Sequence, residues 1–273
     1  ASLDDVLHAW QGLGYYSRAK NLHKCAQVIL NEYGGDFPED RDALLKLPGV
    51  GPYTSAAIAS IAFEKPAIAV DGNVMRVISR YLQLESIRPQ LDQDVEEFLW
   101  TVIPDSRFGD FTQALMELGA LQCRPKSPMC LTCPLLKGCG AYASANPEDY
   151  PKKAQKKALP QKYGHAFILK NSKNQILIRK RAGKGLLSGL YEVPTTEWNI
   201  VLPEKELEEL LLPNSLDYKG EVDHTFTHFH LNLKVWEGIT PQLNQGEWVD
   251  FENLKDYALS TLMKKVLKKN ANL

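Results

Sequence analysis

"LPGVGPYTSAAI", residues 47–58, decides how this 273-residue chain is read. Two glycines and a proline crowd Pro48 to Gly51, with apolar helical runs on either side. Glycine lets a backbone take positive φ and come close to a partner. The stretch therefore predicts a tight hairpin between two helices. Its N–H groups, with the start of the helix at Tyr53, can meet a phosphate. An ordinary helix–helix turn fits the same residues, so the decision rests on what surrounds them.

An acid follows at a suitable distance. Asp71, in "AIAVDGNVMRV", comes after an apolar segment and opens a helix. It reads as an N-cap, or as a carboxylate fixed where it can stabilise developing positive charge. Helical spacing also marks residues 17–35, 39–47, 53–63, 73–84 and 110–123, with Gly34 and Gly35 ending the first of these and Asp110 expected to cap the last. Ser2 and Asp5 form a capping-box pattern at the start. Residues 1–145 are thus expected to be all-α.

Cys123, Cys130, Cys133 and Cys139 give C-x6-C-x2-C-x5-C. Four thiols so close in a chain without secretory features favour a metal centre over disulfides. A zinc ribbon uses two C-x2-C pairs; here there is one. A short wrapping loop suits a 4Fe–4S cubane, each iron taking one thiolate. The spacing favours that cluster, with a single zinc ion or no metal as alternatives. Arg124, Lys126 and Lys137 lie on the same loop and can be turned toward a phosphate backbone. Cys25 sits on a helical pattern and reads as a small buried hydrophobe.

Composition is that of an ordinary globular protein, and no apolar run is long enough to span a bilayer. The opening residues carry acids and no basic n-region, so no signal peptide is expected and a cytoplasmic location is. The formal net charge is −1, so nucleic-acid contact must come from local basic patches. Residues 146–162 bring prolines and lysines with little apolar content and read as a linker. Beyond it the period changes to two: 163–171 and 174–182 read as strands joined by "NSKN", and 189–194 and 224–236 as further strands. Residues 204–212 and 259–269 read as helices, making this region α+β.

Taken together, "LPGVGPYTSAAI", "VDGNVMRV" (70–77) and the cysteine spacing resemble the helix–hairpin–helix DNA glycosylases that carry a 4Fe–4S cluster, the endonuclease III-like superfamily. "WQGLGYYSRAKNLH" (10–23) and "HTFTHFH" (224–230) are similar to its adenine-glycosylase branch, MutY. The resemblance covers essentially the whole chain. It implies a multidomain protein: a helix–hairpin–helix core over 1–145 with the cluster loop at 123–139, the linker, and an α+β Nudix-like domain over 163–273 that recognises 8-oxoguanine.

The reaction it implies is hydrolysis of the N-glycosidic bond of adenine mispaired with 8-oxoguanine or guanine in double-stranded DNA. The adenine must leave the stack, and its departure leaves an oxocarbenium-like sugar. By resemblance Asp71 stabilises that cation, while Tyr53 and Asn73 position the sugar and the carboxylate. Lyase relatives have a lysine where Tyr53 stands; a phenol forms no Schiff base, so a monofunctional enzyme is expected. Pro48, Gly49, Val50, Gly51, Arg124 and Lys126 would contact DNA. Tyr15 would stack beside the 8-oxoguanine, and at least one of Tyr15 and Tyr16 is assigned to the core. Phe226, Thr227 and His228 fall where the family has Phe-Ser-His in a loop contacting the oxidised base, with Thr227 adding a methyl group.

Two departures matter. The family's general acid, a glutamate on a helix upstream of "GLGYY", has no counterpart here, because only "ASLDDVLHAW" precedes that segment and Asp4 and Asp5 stand in the wrong place. An enzyme lacking its N-terminal segment and with little or no activity is therefore expected, since loss of a general acid alone costs about 10²–10⁴-fold, or else a fragment that binds lesion DNA without chemistry. Second, residues 204–212, "EKELEELLL", lack the R-E-x-x-E-E pattern of a Nudix pyrophosphatase, so nucleotide hydrolysis is not expected. His224, His228 and His230 would share one face of a single strand, but no carboxylate or cysteine in the run supports a metal. A monomer is expected, away from membranes. Sliding clamps or mismatch-repair proteins are conceivable partners that no residue specifies.

Overall fold

The computed structural model describes residues 1–155, 158–183, 185–203, 216–240 and 246–269. No helix among them is long and apolar enough to cross a membrane. The chain forms two compact units, Lys24–Lys156 and the combination of Ala1–His23 with Lys157–Leu273.

This division differs from the expected break between a core over 1–145 and a C-terminal domain. The N-terminal residues join the C-terminal ones because they share a hydrophobic cluster. Leu7, Tyr16 and Ala19 pack with Leu190 and Ala258. Polar links reinforce it: the His8 ring meets the Lys255 carbonyl at 2.9 Å, and Gln11 Nε2 donates to the Tyr257 carbonyl at 3.0 Å.

Helices α1 (Leu3–Ala9) and α2 (Tyr16–Glu32) open the chain. The capping box at α1 is present: the Ser2 hydroxyl accepts from Asp5 N, and the Asp5 carboxylate accepts from Ser2 N. The helical unit begins within α2, at Lys24, and adds α3 (Arg41–Leu45), α4 (Pro52–Phe63), α5 (Gly72–Leu82), α6 (Gln90–Val102) and α7 (Phe108–Glu117). α6 was not expected. It buries only Leu91, Val95 and Leu99, a narrow stripe among acids and amides.

α4 packs closely on α7 through small residues. A Cβ on Gly109 would stand 2.9 Å from the Ser60 carbonyl oxygen, and Thr112 Oγ1 donates to Ser60 Oγ. Asp110 does not cap α7. Arg107, at φ 62°, holds that position, and Asp110 lies in the first turn, paired with Arg107 at 2.6 Å. After Glu117 the helix widens into a π-turn, Leu118–Gln122, in which Cys123 N donates to the Leu118 carbonyl at 2.7 Å. The segment expected to be linker begins as part of this unit. Tyr150 is buried, and its carbonyl accepts from Arg80 Nε at 3.2 Å.

The other unit is built on a mixed sheet of β1 (Gln161–Lys170), β2 (Ile176–Lys180), β3 (Tyr191–Glu192), β4 (Asp217–Thr225), β5 (His230–Ile239) and β6 (Glu247–Val249). The order is β3-β2-β1-β5-β4, with β6 also paired to β2 and β1 parallel to β5. Central β1 is buried on both faces. Ala166 and Ile168 join Leu231, Leu233 and the C-terminal helix Thr261–Leu267 on one side; Phe167 and Leu169 join Trp236 and Trp248 on the other.

Residues 224–236 are not one strand. The chain turns at Phe226–Phe229, where Phe226 N donates to the Phe229 carbonyl, so the stretch holds the end of β4 and the start of β5. The helix expected over 204–212 lies outside the described residues.

Candidate active site

In the helical unit, Gly49 takes φ 80° at the tip of the hairpin, and Val50 N closes the turn on the Leu47 carbonyl at 3.1 Å. Gly51 differs. Its backbone is extended, and no atom lies within 4 Å of a Cβ built on it. Its service is to leave the N-terminus of α4 bare: no side chain caps that helix, and Pro52 at its first position needs no acceptor. The hairpin thus presents uncapped N–H groups on an open surface.

Asp71 is the N-cap of α5, as the conservative reading held. Its Oδ1 accepts from Asn73 N (2.8 Å) and Val74 N (2.7 Å). Its Oδ2 accepts from the Asn73 side-chain amide at 2.9 Å. A carboxylate has about four acceptor positions, so one on Oδ2 stays open, and the residue is only partly buried. Tyr53 is 43% exposed. Burial, and after it the Asp71 charge, push its phenol above the ordinary tyrosine range.

Asn73 is itself held. Arg76 Nη2 donates to Asn73 Oδ1 (2.8 Å) and to the Gly119 carbonyl (2.6 Å), and Arg76 Nε donates to the Cys123 carbonyl (2.7 Å). Gly119 is buried against Asn73; a Cβ there would lie 2.6 Å from Asn73 Cβ. One guanidinium fork therefore ties the residue that orients Asp71 to the π-turn and to the first cysteine of the loop.

All four loop cysteines line one small cavity. Arg80, 2% exposed, braces the same loop: Nη1 reaches Cys123 Sγ (3.3 Å) and the Arg124 carbonyl (2.7 Å), and Nη2 the Pro125 carbonyl (3.1 Å). Burial first, and then the neighbouring cysteines, push the Cys130 thiol up. Among the described residues no three His, Cys, Asp or Glu side chains are placed to hold a single metal ion. Arg124, Lys126 and Lys137 are exposed. Arg76, Arg80 and Gly119 escaped sequence reasoning, since the hydrogen bonds that join α5 to the π-turn and the cysteine loop cross more than forty residues of chain.

In the other unit, Tyr15 and Tyr16 separate. Tyr16 is in the core and Tyr15 is 65% exposed at φ 47°, with the Arg18 guanidinium 5.1 Å from its ring. Tyr15 lines a cavity together with Phe226, Thr227 and His228. Thr227 and His228 are exposed, whereas Phe226 is turned inward and stacks on Trp198. The three histidines do not share a face. The hairpin register sets His224 opposite core Leu231 and His230 opposite Thr225, on the other side of the sheet.

A family profile described as HhH-GPD superfamily base excision DNA repair protein matches residues 1–105, and a NUDIX domain profile matches 165–269. The adenine DNA glycosylase of Buchnera aphidicola subsp. Schizaphis graminum is 32% identical over 291 residues, covering 98% of this chain and 80% of that protein. That of Rattus norvegicus is 33% identical over 331 residues; the chain spans 64% of its length. A solved endonuclease III–DNA complex is 33% identical, covering 53% of this chain and 67% of that one at a TM-score of 0.47. With this identity to relatives of one kind along nearly its entire length, the chain belongs to the adenine DNA glycosylase family.

Proposed function

We propose that the chain is a monofunctional adenine DNA glycosylase of base excision repair, acting on adenine opposite 8-oxoguanine or guanine. The observation that carries the reading is the Asp71 carboxylate. Asn73 and the first turn of α5 hold it with one acceptor position open. In the reaction the bond from C1′ to the base breaks, and its electron pair leaves with the adenine. Positive charge develops on the sugar, and the fixed carboxylate stabilises it without reorganising. Water then adds to C1′ and loses a proton, which ends on the departed adenine, leaving an abasic site. Tyr53 bounds the sugar's place, and its phenol forms no covalent bond to C1′.

The hairpin N–H groups and Arg124 and Lys126 would hold the phosphate backbone around the extruded nucleotide. Cys123, Cys130, Cys133 and Cys139 line a common cavity, and a single C-x2-C pair in so short a loop suits a 4Fe–4S cluster better than the two pairs of a zinc ribbon. When bound, the cluster supplies a rigid staple for the basic loop. Tyr15, Thr227 and His228, gathered at one cavity, would read the opposite base, with the Tyr15 ring stacking and Thr227 Oγ1 hydrogen-bonding.

The test is a duplex with one 8-oxoguanine:adenine pair, incubated with the protein and then treated with hot alkali. Strand cleavage at the adenine only after alkali is expected. Cleavage without alkali would indicate a lyase, and intact DNA despite tight binding would replace the enzyme by a binding module.

A further inference from the structure

The cavity lined by Tyr15 and the 226–228 turn has a volume of about 780 Å³ and a one-sided chemistry. Its described lining carries Lys20, two histidines and several hydroxyls, and no aspartate or glutamate. Burial and then Lys265 keep the His224 ring below the ordinary histidine range, so at neutral pH it adds a hydrogen-bonding group and no charge. Lys20 is a formal cation of a different kind. It projects from α2, partly buried, and its Nζ donates to Ser188 Oγ at 2.9 Å. Ser188 in turn donates to the Gly183 carbonyl at 2.8 Å. Burial is the only influence on the Lys20 amine, which it lowers; no described carboxylate compensates the charge.

A partly buried ammonium with no carboxylate beside it gains from an anion that comes to it. Two of its N–H bonds remain available beyond the one to Ser188. Gly183 and Gly185, at φ 84° and 126°, border the same cavity with open space where a Cβ would stand, so a bulky anion can approach the backbone there. We infer that Lys20, steadied by Ser188, grips a backbone phosphate of the DNA strand that carries the oxidised guanine. The strand follows from the neighbours, since Tyr15, Thr227 and His228 line the same cavity as Lys20. The inference rests on the proposed function, which supplies the DNA and the role of Tyr15.

The experiment measures affinity for an 8-oxoguanine:adenine duplex across salt concentrations, using the wild type, Lys20→Gln and Lys20→Arg, with thermal midpoints recorded in parallel. One lost phosphate contact lowers the slope of log affinity against log salt by about 0.9. The deficit of Lys20→Gln should therefore be about three- to fourfold wider at 50 mM than at 200 mM salt, with Lys20→Arg near wild type. Duplexes bearing a single uncharged methylphosphonate, moved along the lesion strand, should include one position that weakens the wild type and leaves Lys20→Gln unaffected. An unchanged slope in Lys20→Gln, or a matching position found only on the adenine strand, overturns the anchor. A wild type that binds no lesion duplex overturns the underlying reading instead.

Discussion

Arg76 is joined to Cys123 by a hydrogen bond from Nε to the cysteine's carbonyl oxygen, 2.7 Å long, while its Nη2 holds the side chain of Asn73. Asn73 in turn donates to Asp71. The carboxylate proposed to meet the sugar is thus two hydrogen bonds from an arginine anchored in the cysteine loop. A lysine cannot replace that arginine, because it has no planar fork with which to span three acceptors. Arg76→Lys should bind lesion DNA nearly as well as wild type and excise adenine roughly 10- to 100-fold more slowly. Single-turnover excision at saturating protein is the measurement, and an unaltered rate would show that Asn73 needs no such support.

Asp71→Asn separates capping from catalysis. Asparagine caps helices as well as aspartate, so α5 and the thermal midpoint should be preserved. The charge is gone, and with it a fall in excision rate of about 10²–10³-fold is expected. If Asp71→Asn excised normally, Asp71 would be a helix cap and nothing more.

The cysteines should be coupled to the loop they carry. Cys133→Ser, or oxidative removal of iron from the purified protein, should abolish visible absorbance and lower the thermal midpoint. Affinity for DNA should drop as Arg124 and Lys126 lose their setting. Full affinity and an unshifted midpoint in a protein without iron would argue that the loop folds without help.

Glu237 gives a pH test of the sheet unit. It pairs with Lys170 and, at 3.0 Å, with Lys219. Burial opposes ionisation of its carboxyl, but hydrogen bonds and charge from the two lysines outweigh it, and its pKa lies below the ordinary glutamate value. For a lowered carboxyl the stabilisation is present above the unfolded-state value and is lost as pH falls through the folded one. Wild-type midpoints should therefore decline below about pH 4.5. Glu237→Gln should cost about 3 kcal/mol at neutral pH and show a flatter acid limb. An acid limb as steep as that of wild type would assign the decline to other carboxyls.

The hairpin was legible because its signal is local: proline and glycine fix turn geometry wherever they stand. The Ser2–Asp5 box was legible for the same reason. α6 was not, since its buried stripe is only three residues wide. Which of Tyr15 and Tyr16 enters the core was beyond the pattern as well, because it depends on Leu190 and Ala258, far along the chain. The histidine run misled because strand periodicity was extended through a turn that reverses the chain at Phe226–Phe229. The cysteine cluster is visible in its spacing and Asp71 as a helix cap in its local context, whereas Asn73 enters only through the family resemblance. The arginine that links them could not be read, as nothing beside it in sequence names its acceptors.

The widened turn at Leu118–Gln122 has a mechanical consequence. Each residue of a regular helix advances the chain by about 100° around its axis. If the same residues ran on in ordinary pitch, without the i→i+5 bond from Cys123 N to the Leu118 carbonyl, the loop that follows would be rotated by roughly that angle. Cys123 and its carbonyl would then face away from Arg76, although every residue named in the site would still be present. The spare residue in that turn is a phasing shim, and the rotational alignment of two distant chemistries depends on it.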